Sequence, residues 1–140
     1  MQTSIDLEFG DGVYIFRLPI KQIIALETKA GPIDAVRHRL MHGGFSIQDV
    51  TETIRHGLIG GGKGMVNDVE IEVGELKANQ LIAAYIDGKP LASIALVAKA
   101  VIGALYVGYT PEKAQKKTTS RKNRSRSTGD SSPTTASPSG

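Results

Sequence analysis

The chain contains no cysteine, so disulfide bonds and metal sites built from thiolates are excluded. It also lacks the basic flank and continuous apolar run of a secretory signal, because its first residues soon alternate between apolar and acidic types. Export by that route is therefore not expected. With 140 residues, 40% hydrophobic and 22% charged, the composition is ordinary for one small globular domain.

Positive charge is concentrated at the C-terminal end. From Thr110 onward seven Lys and Arg residues face two acidic ones, a net charge of +5, whereas the first 109 residues carry ten basic and twelve acidic residues, a net charge of −2. Beyond Thr110 the only aliphatic side chains are Ala114 and Ala136, so little apolar surface is available to offset the entropy of ordering. We therefore predict a folded domain over residues 1–109 and a disordered, basic, Ser/Thr/Pro-rich tail over residues 110–140.

The N-terminal residues have the pattern of a β-hairpin. Ile5, Leu7 and Phe9 alternate with acidic residues, and a short glycine-containing turn separates them from a second apolar stretch. Further along, the glycine-rich residues 60–64 are interpreted as a flexible break. Residues 69–73 then alternate again, which indicates a third short strand that would extend the hairpin.

Helical spacing dominates the rest of the chain. Two short helices are predicted directly after the hairpin, and Ser46 with Asp49 resembles a capping box that begins a third. Two more helices are predicted over residues 75–86 and 90–109. The predicted fold class is α+β, mainly α, with an N-terminal hairpin packed on about five helices.

One segment resembles a phosphate-binding loop. Residues 57–63 have its glycines and its lysine, but Gly64 occupies the position of the serine or threonine that would hold magnesium. The segment also follows a predicted helix, whereas a phosphate loop follows a strand. The favoured interpretation is a helix end, and a nucleotide site is the minor alternative.

Other chemical signatures are incomplete as well. His38 and His42 have the spacing of a metal-binding pair on a helix, but no third ligand is evident and Arg39 stands where a zinc protease has its glutamate. Glu70 and Glu72 alternate like the solvent face of a strand, which argues against paired catalytic carboxylates. We predict no metal, no cofactor and no catalytic residue, and thus a protein that is not an enzyme.

The apolar residues 91–109 approach the length of a membrane span. Eight Leu, Ile and Val residues contribute about −2.4 to −4.8 kcal/mol to insertion, and Lys99 near the centre costs roughly 2.5 to 3.5 kcal/mol. The sum is near zero, so we predict a buried central helix and no membrane association. A helix that is apolar on almost every side also leaves surface for a partner.

Three runs of sequence together carry a family resemblance. They are the hairpin that leads into residues 17–20, the helix over residues 46–58, and residues 77–91 with the alanine-rich helix that follows. Over about residues 5–109 the chain resembles the small proteins of phage tail modules and gene transfer agents that are often labelled tail assembly chaperones. No part of the tail resembles this family.

The resemblance implies an interaction protein that binds the apolar, helical tape-measure protein in the cytoplasm of a bacterial host and delivers it to the growing tail tube. Some family members are instead described as tail tube subunits, which would place the chain in the particle. The tail tube protein and further copies of the chain are additional candidate partners. The candidate protein-binding residues lie on the last two predicted helices, and each has membership of the core as its alternative: Tyr85, Pro90, Leu91, Ile94, Val97, Val101 and Leu105.

A second hypothesis assigns the function to the basic tail. Lysine and arginine side chains can neutralise nucleic-acid phosphates, with weak and strongly salt-dependent affinity. However, residues 112–140 contain no aromatic side chain on which a base could stack. A nucleic-acid-associated protein is therefore the less favoured alternative.

Overall fold

The computed structural model describes residues 2–110, so the tail predicted for residues 110–140 lies outside them except for its first residue. The elements in chain order are β1 (Ile5–Phe9), β2 (Gly12–Phe16), α1 (Ile20–Ala30), α2 (Ile33–His42), α3 (Ile47–Gly61), β3 (Lys63–Val66), β4 (Val69–Glu72), α4 (Glu75–Tyr85) and α5 (Leu91–Val107). This arrangement confirms the predicted α+β class with a predominance of helix.

The four strands form one antiparallel sheet in the order β1-β2-β3-β4. The N-terminal hairpin is as predicted, and the Tyr14 hydroxyl donates to Asp11 Oδ1 in its turn at 2.5 Å. Burial and this hydrogen bond raise the pKa of Tyr14. The predicted third strand is β4, and it is joined to β3 by Asn67 and Asp68, which both have positive φ, as a two-residue hairpin turn requires.

The interpretation of residues 60–64 as a flexible break is wrong. Helix α3 continues to Gly61, Gly62 ends it in the left-handed conformation, and Lys63 begins β3 at once. A side chain at Gly61 would collide with the carbonyl of Ile15 on β2, and one at Gly60 with the carbonyl of Arg17 just after β2, so these glycines allow the helix and the strand to touch. The glycines indicate close packing here, because a missing Cβ permits contact as well as flexibility.

Helix α3 begins at the predicted capping box and lies at the centre of the fold. Asp49 N donates to Ser46 Oγ at 3.0 Å, and Ser46 N donates to Asp49 Oδ2 at 2.9 Å. Its buried stripe of Val50, Ile54 and Leu58 packs with the inner face of the sheet, with α1 and with α5. No helix within residues 2–110 is long and apolar enough to cross a membrane.

Candidate interaction surface

The seven predicted protein-binding residues do not form one exposed stripe. Ile94 and Val101 are buried, Tyr85, Val97 and Leu105 are half-buried, and Pro90 and Leu91 are exposed. Ile94 and Val101 are therefore core residues that pack beneath the exposed members of this set. The accessible members are grouped around the turn between α4 and α5.

Four of the predicted residues line an open groove of about 320 Å³. It lies between the β1–β2 turn, the end of α4 and the start of α5, and those four lining residues are Tyr85, Pro90, Ile94 and Val97. The Tyr85 ring stands edge-on to Phe9 with centroids 6.3 Å apart, and a side chain at Gly10 would overlap it. The glycine in the first hairpin therefore gives Tyr85 its place in the groove.

A second open groove, with a volume of about 500 Å³, lies on the other side of the α4–α5 turn. Leu91 lines it together with Ile47, Ile82 and Ile86, and Lys89 lines both grooves. Ile47 and Leu91 are 57% and 53% exposed, so apolar surface is available to a partner here. The turn is thus flanked by two largely apolar concavities, each with a charged residue at its rim.

Two mostly exposed aliphatic side chains of α5 were not predicted from the sequence. Leu96 is 64% exposed and Val107 is 74% exposed, and neither belongs to the predicted stripe. The sequence contained one relevant signal, because α5 is apolar on every side. This pattern indicates that one face of the helix is not covered by the rest of the domain, but it does not indicate which face. Lys99, the only charged residue of α5, is half-buried.

The C-terminal end of α5 is attached to α2 through polar contacts. The Tyr106 hydroxyl donates to Asp34 Oδ1 at 3.1 Å, and the Arg37 guanidinium lies 4.7 Å from the centroid of the Tyr106 ring. The hydrogen bonds from Arg37 and Tyr106 lower the pKa of Asp34. Tyr106 is therefore held against α2, although it is 41% exposed.

The residues considered for metal, carboxylate and phosphate chemistry lie on α2, on β4 and where α3 meets β3. The His38 and His42 rings lie with their centroids 4.7 Å apart and their planes tilted by 46°, and residues 2–110 contain no cluster of three or more His, Asp or Glu residues suited to a metal. Glu70 and Glu72 lie on β4, and Lys63 Nζ lies 3.6 Å from Glu70 Oε2. The glycine-rich segment connects a helix to a strand, which is the reverse of a phosphate loop.

A buried polar cluster that the sequence did not predict joins α1, α3 and α4. His56 Nδ1 donates to Gln22 Oε1 at 2.8 Å, and His56 Nε2 lies 3.4 Å from Glu52 Oε1. Arg55 pairs with Glu52 and also donates to Asn79 Oδ1 at 2.9 Å. The side chains of Glu52 and His56 are 9% and 12% exposed, whereas Asn79 at the edge of the cluster is exposed, and the burial of the first two favours a structural role.

We expect His56 to make the stability of the domain depend on pH. Burial lowers its pKa from the ordinary value of 6.5, although Glu52 acts in the opposite direction. Because the pKa is lower in the folded state, the neutral imidazole contributes fully to the free energy of unfolding above pH 6.5. This contribution is lost as the pH falls below that value. The free energy of unfolding, measured with urea between about pH 7.5 and about pH 5, should therefore fall more in the wild type than in His56→Gln.

The matched control is His38→Gln, because His38 is exposed. That variant should keep the pH dependence of the wild type. An identical pH dependence in the wild type and His56→Gln would contradict the assignment.

The fold and the surface together define a class of small α+β domains with apolar concavities on a helical surface. Within it, the family described as phage tail tube protein, GTA-gp10, matches residues 2–108, and the chain belongs to that family. It is thus a phage-type tail-module protein with a role in tail morphogenesis, as its resemblance to such proteins implied. No curated protein and no solved structure matches the chain.

Proposed function

We propose that the chain is a structural subunit of a phage-type tail tube. The observation that carries this proposal is the match to a family described as tail tube protein, which spans residues 2–108 and thus nearly every residue of the folded part. This assignment favours the tube alternative over the chaperone hypothesis that we preferred from the sequence. A tube role is non-enzymatic, and the absence of catalytic activity stays a prediction.

Exposed apolar side chains support a role in repeated assembly. Ile20, Ile24, Leu96 and Val107 are each at least 60% exposed, and such surface is commonly buried against other subunits. Within the described residues β1 and β4 are also the outer strands of the sheet. A tube subunit must contact several neighbours, and this domain has apolar surface on more than one of its helices.

A tail assembly chaperone remains the second candidate function because the strands are short. They are only four or five residues long, whereas tube rings of this type are expected to use long strands. The two apolar grooves at the α4–α5 turn would suit the apolar face of a helical tape-measure protein. A chaperone would be needed during assembly and would be absent from the finished particle.

Purified particles distinguish the two functions. We expect quantitative mass spectrometry to find this chain at many copies per particle, far above the copy number of the tape-measure protein, which serves as the internal control. Assembly lysate of the same cells should be measured in parallel. A chain that is abundant in the lysate, absent from particles and copurified with the tape-measure protein would overturn the tube assignment and support the chaperone.

A further inference from the structure

Two exposed patches of the domain are complementary in charge and in shape, and we propose that they join successive copies of the chain. The first, the sheet patch, is the outer face of the sheet: Asp6, Glu8, Val13, Ile15, Lys63, Met65, Glu70 and Glu72. The second, the helix patch, is the outward side of α1 with Arg17, which lies three residues before the helix: Arg17, Ile20, Lys21 and Ile24. The inference rests on the proposed function, because it names surfaces through which tube subunits would meet.

The strand register builds the sheet patch as a mainly apolar strip, interrupted by Lys63 on β3, between two acidic columns. Glu8 pairs with Val13, Val13 with Met65, and Met65 with Glu70, so one row runs from acidic through apolar to acidic. Val13 and Met65 are 40% and 46% exposed and border a shallow groove of about 120 Å³. Exposed aliphatic side chains in the middle of a sheet face are suited to burial by a partner.

The charges of the sheet patch are mostly available. Its four carboxylates and one lysine give a net charge of −3, and the lysine lies beside Glu70. Among residues 2–110 no ion pair involves Asp6, Glu8 or Glu72. A basic partner would therefore find free carboxylates on both sides of the apolar strip.

The helix patch has the opposite arrangement. Ile20 and Ile24 lie one turn apart and are 70% and 60% exposed, and the basic Arg17 and Lys21 near them are exposed as well. The nearby Glu27 accepts a hydrogen bond from Ile33 N at 2.8 Å and is thus engaged with α2. The patch is thus an aliphatic pair with two exposed basic residues and the hydrogen-bonded carboxylate of Glu27 beside it, a net charge of +1.

The dimensions of the two patches also agree. The acidic columns on β1 and β4 are separated by three strand spacings, about 14 Å, and a helix with its side chains is about 10 to 12 Å across. One α1 helix therefore fits between the columns, with its isoleucines on the apolar strip and its basic residues near the carboxylates.

The patches face different ways within one copy. Helix α1 packs mainly on α3 and α2, and α3 packs against the inner face of the sheet, while the sheet patch is on the outer face. A contact between the helix patch of one copy and the sheet patch of the next is therefore head-to-tail. Head-to-tail contacts generate rings or filaments instead of closed dimers, as a tube requires.

Charge exchange tests the pairing in the purified full-length chain. We expect sedimentation velocity at low salt to show concentration-dependent self-association of the wild type. Glu8→Lys with Glu72→Lys, or Arg17→Glu with Lys21→Glu, should each weaken it about tenfold, because like charges would then meet. The variant that carries all four substitutions should recover to within about threefold of the wild type, since the charges are exchanged between the patches.

Glu75→Lys with Asp87→Lys is the matched control, because it changes the net charge as much as the sheet-patch variant but lies outside both patches. Ile20→Ser with Ile24→Ser should weaken association without altering the fold, which circular dichroism checks. A monomeric wild type, unaffected charge variants or a failure of the four-residue variant to recover would each overturn the proposal. Abundance in particles is measured separately, so a chain found in particles whose charge variants associate normally would refute this interface and leave the tube function standing.

Discussion

Replacing Gly61 by alanine should lower the free energy of unfolding by about 3 kcal/mol, at the upper end of the usual cost of overpacking. Gly61 is the last residue of α3, and an added Cβ would overlap the carbonyl oxygen of Ile15 on β2. A backbone carbonyl cannot rotate away as a flexible side chain can, so the helix and the strand would have to separate. Urea unfolding followed by circular dichroism measures the effect.

Gly103→Ala provides a control of the same chemistry. Gly103 also lies within a helix, α5, and a Cβ there would meet nothing within 4 Å. Alanine should therefore stabilise the domain by roughly 0.5 to 1 kcal/mol through its higher helix propensity. If both variants shift stability in the same direction, the close approach of α3 and β2 does not limit the fold as we infer.

The parts of the fold that could be predicted from the sequence are those determined by residues close together in the chain. Local patterns determined the first hairpin and the start of α3, because alternation and the Ser46–Asp49 capping box act within a few residues. Strand β3 was missed because Gly62 and Gly64 on either side of Lys63 suggested flexibility. The turn signal was nevertheless present, since Asn67 and Asp68 are residue types that tolerate positive φ.

The surface was less predictable than the fold. Because α5 is apolar all round, its periodicity could not distinguish the buried Ile94 and Val101 from the exposed Leu96. The sheet patch is assembled from strands that are distant in the sequence, and β3 contributes Met65 and Lys63 to it. A surface of that kind becomes visible only when the strand order is known.

Replacing Asp49 by alanine should lower the free energy of unfolding by about 2 to 3 kcal/mol, because it removes both the buried partner of a half-buried ion pair and the cap of α3. The Asp49 side chain is 1% exposed and accepts from Arg39 at 2.6 and 2.7 Å while it caps α3. Its loss would leave the Arg39 guanidinium, which is 34% exposed, with Ala30 O as its one remaining acceptor among residues 2–110. Urea unfolding at neutral pH measures this loss.

The control is Asp34→Ala, which removes the other aspartate that pairs with an arginine. Asp34 is 73% exposed, so its solvent-screened pair with Arg37 should contribute much less to stability than the Asp49 pair. Equal losses in the two variants would show that burial of Asp49 does not decide the effect. An Asp49→Ala variant as stable as the wild type would refute the role of the pair altogether.

The Asp49 contribution should also depend on pH. Burial alone raises the pKa of Asp49, but the hydrogen bonds from Arg39 and Ser46 outweigh it and leave the pKa below the ordinary value of 3.8. A lowered pKa in the folded state gives stability that is complete above 3.8 and is lost as the pH falls below it. The difference in unfolding free energy between the wild type and Asp49→Asn should therefore be constant near neutrality and shrink below about pH 4. A difference that grows in acid would contradict the ion pair.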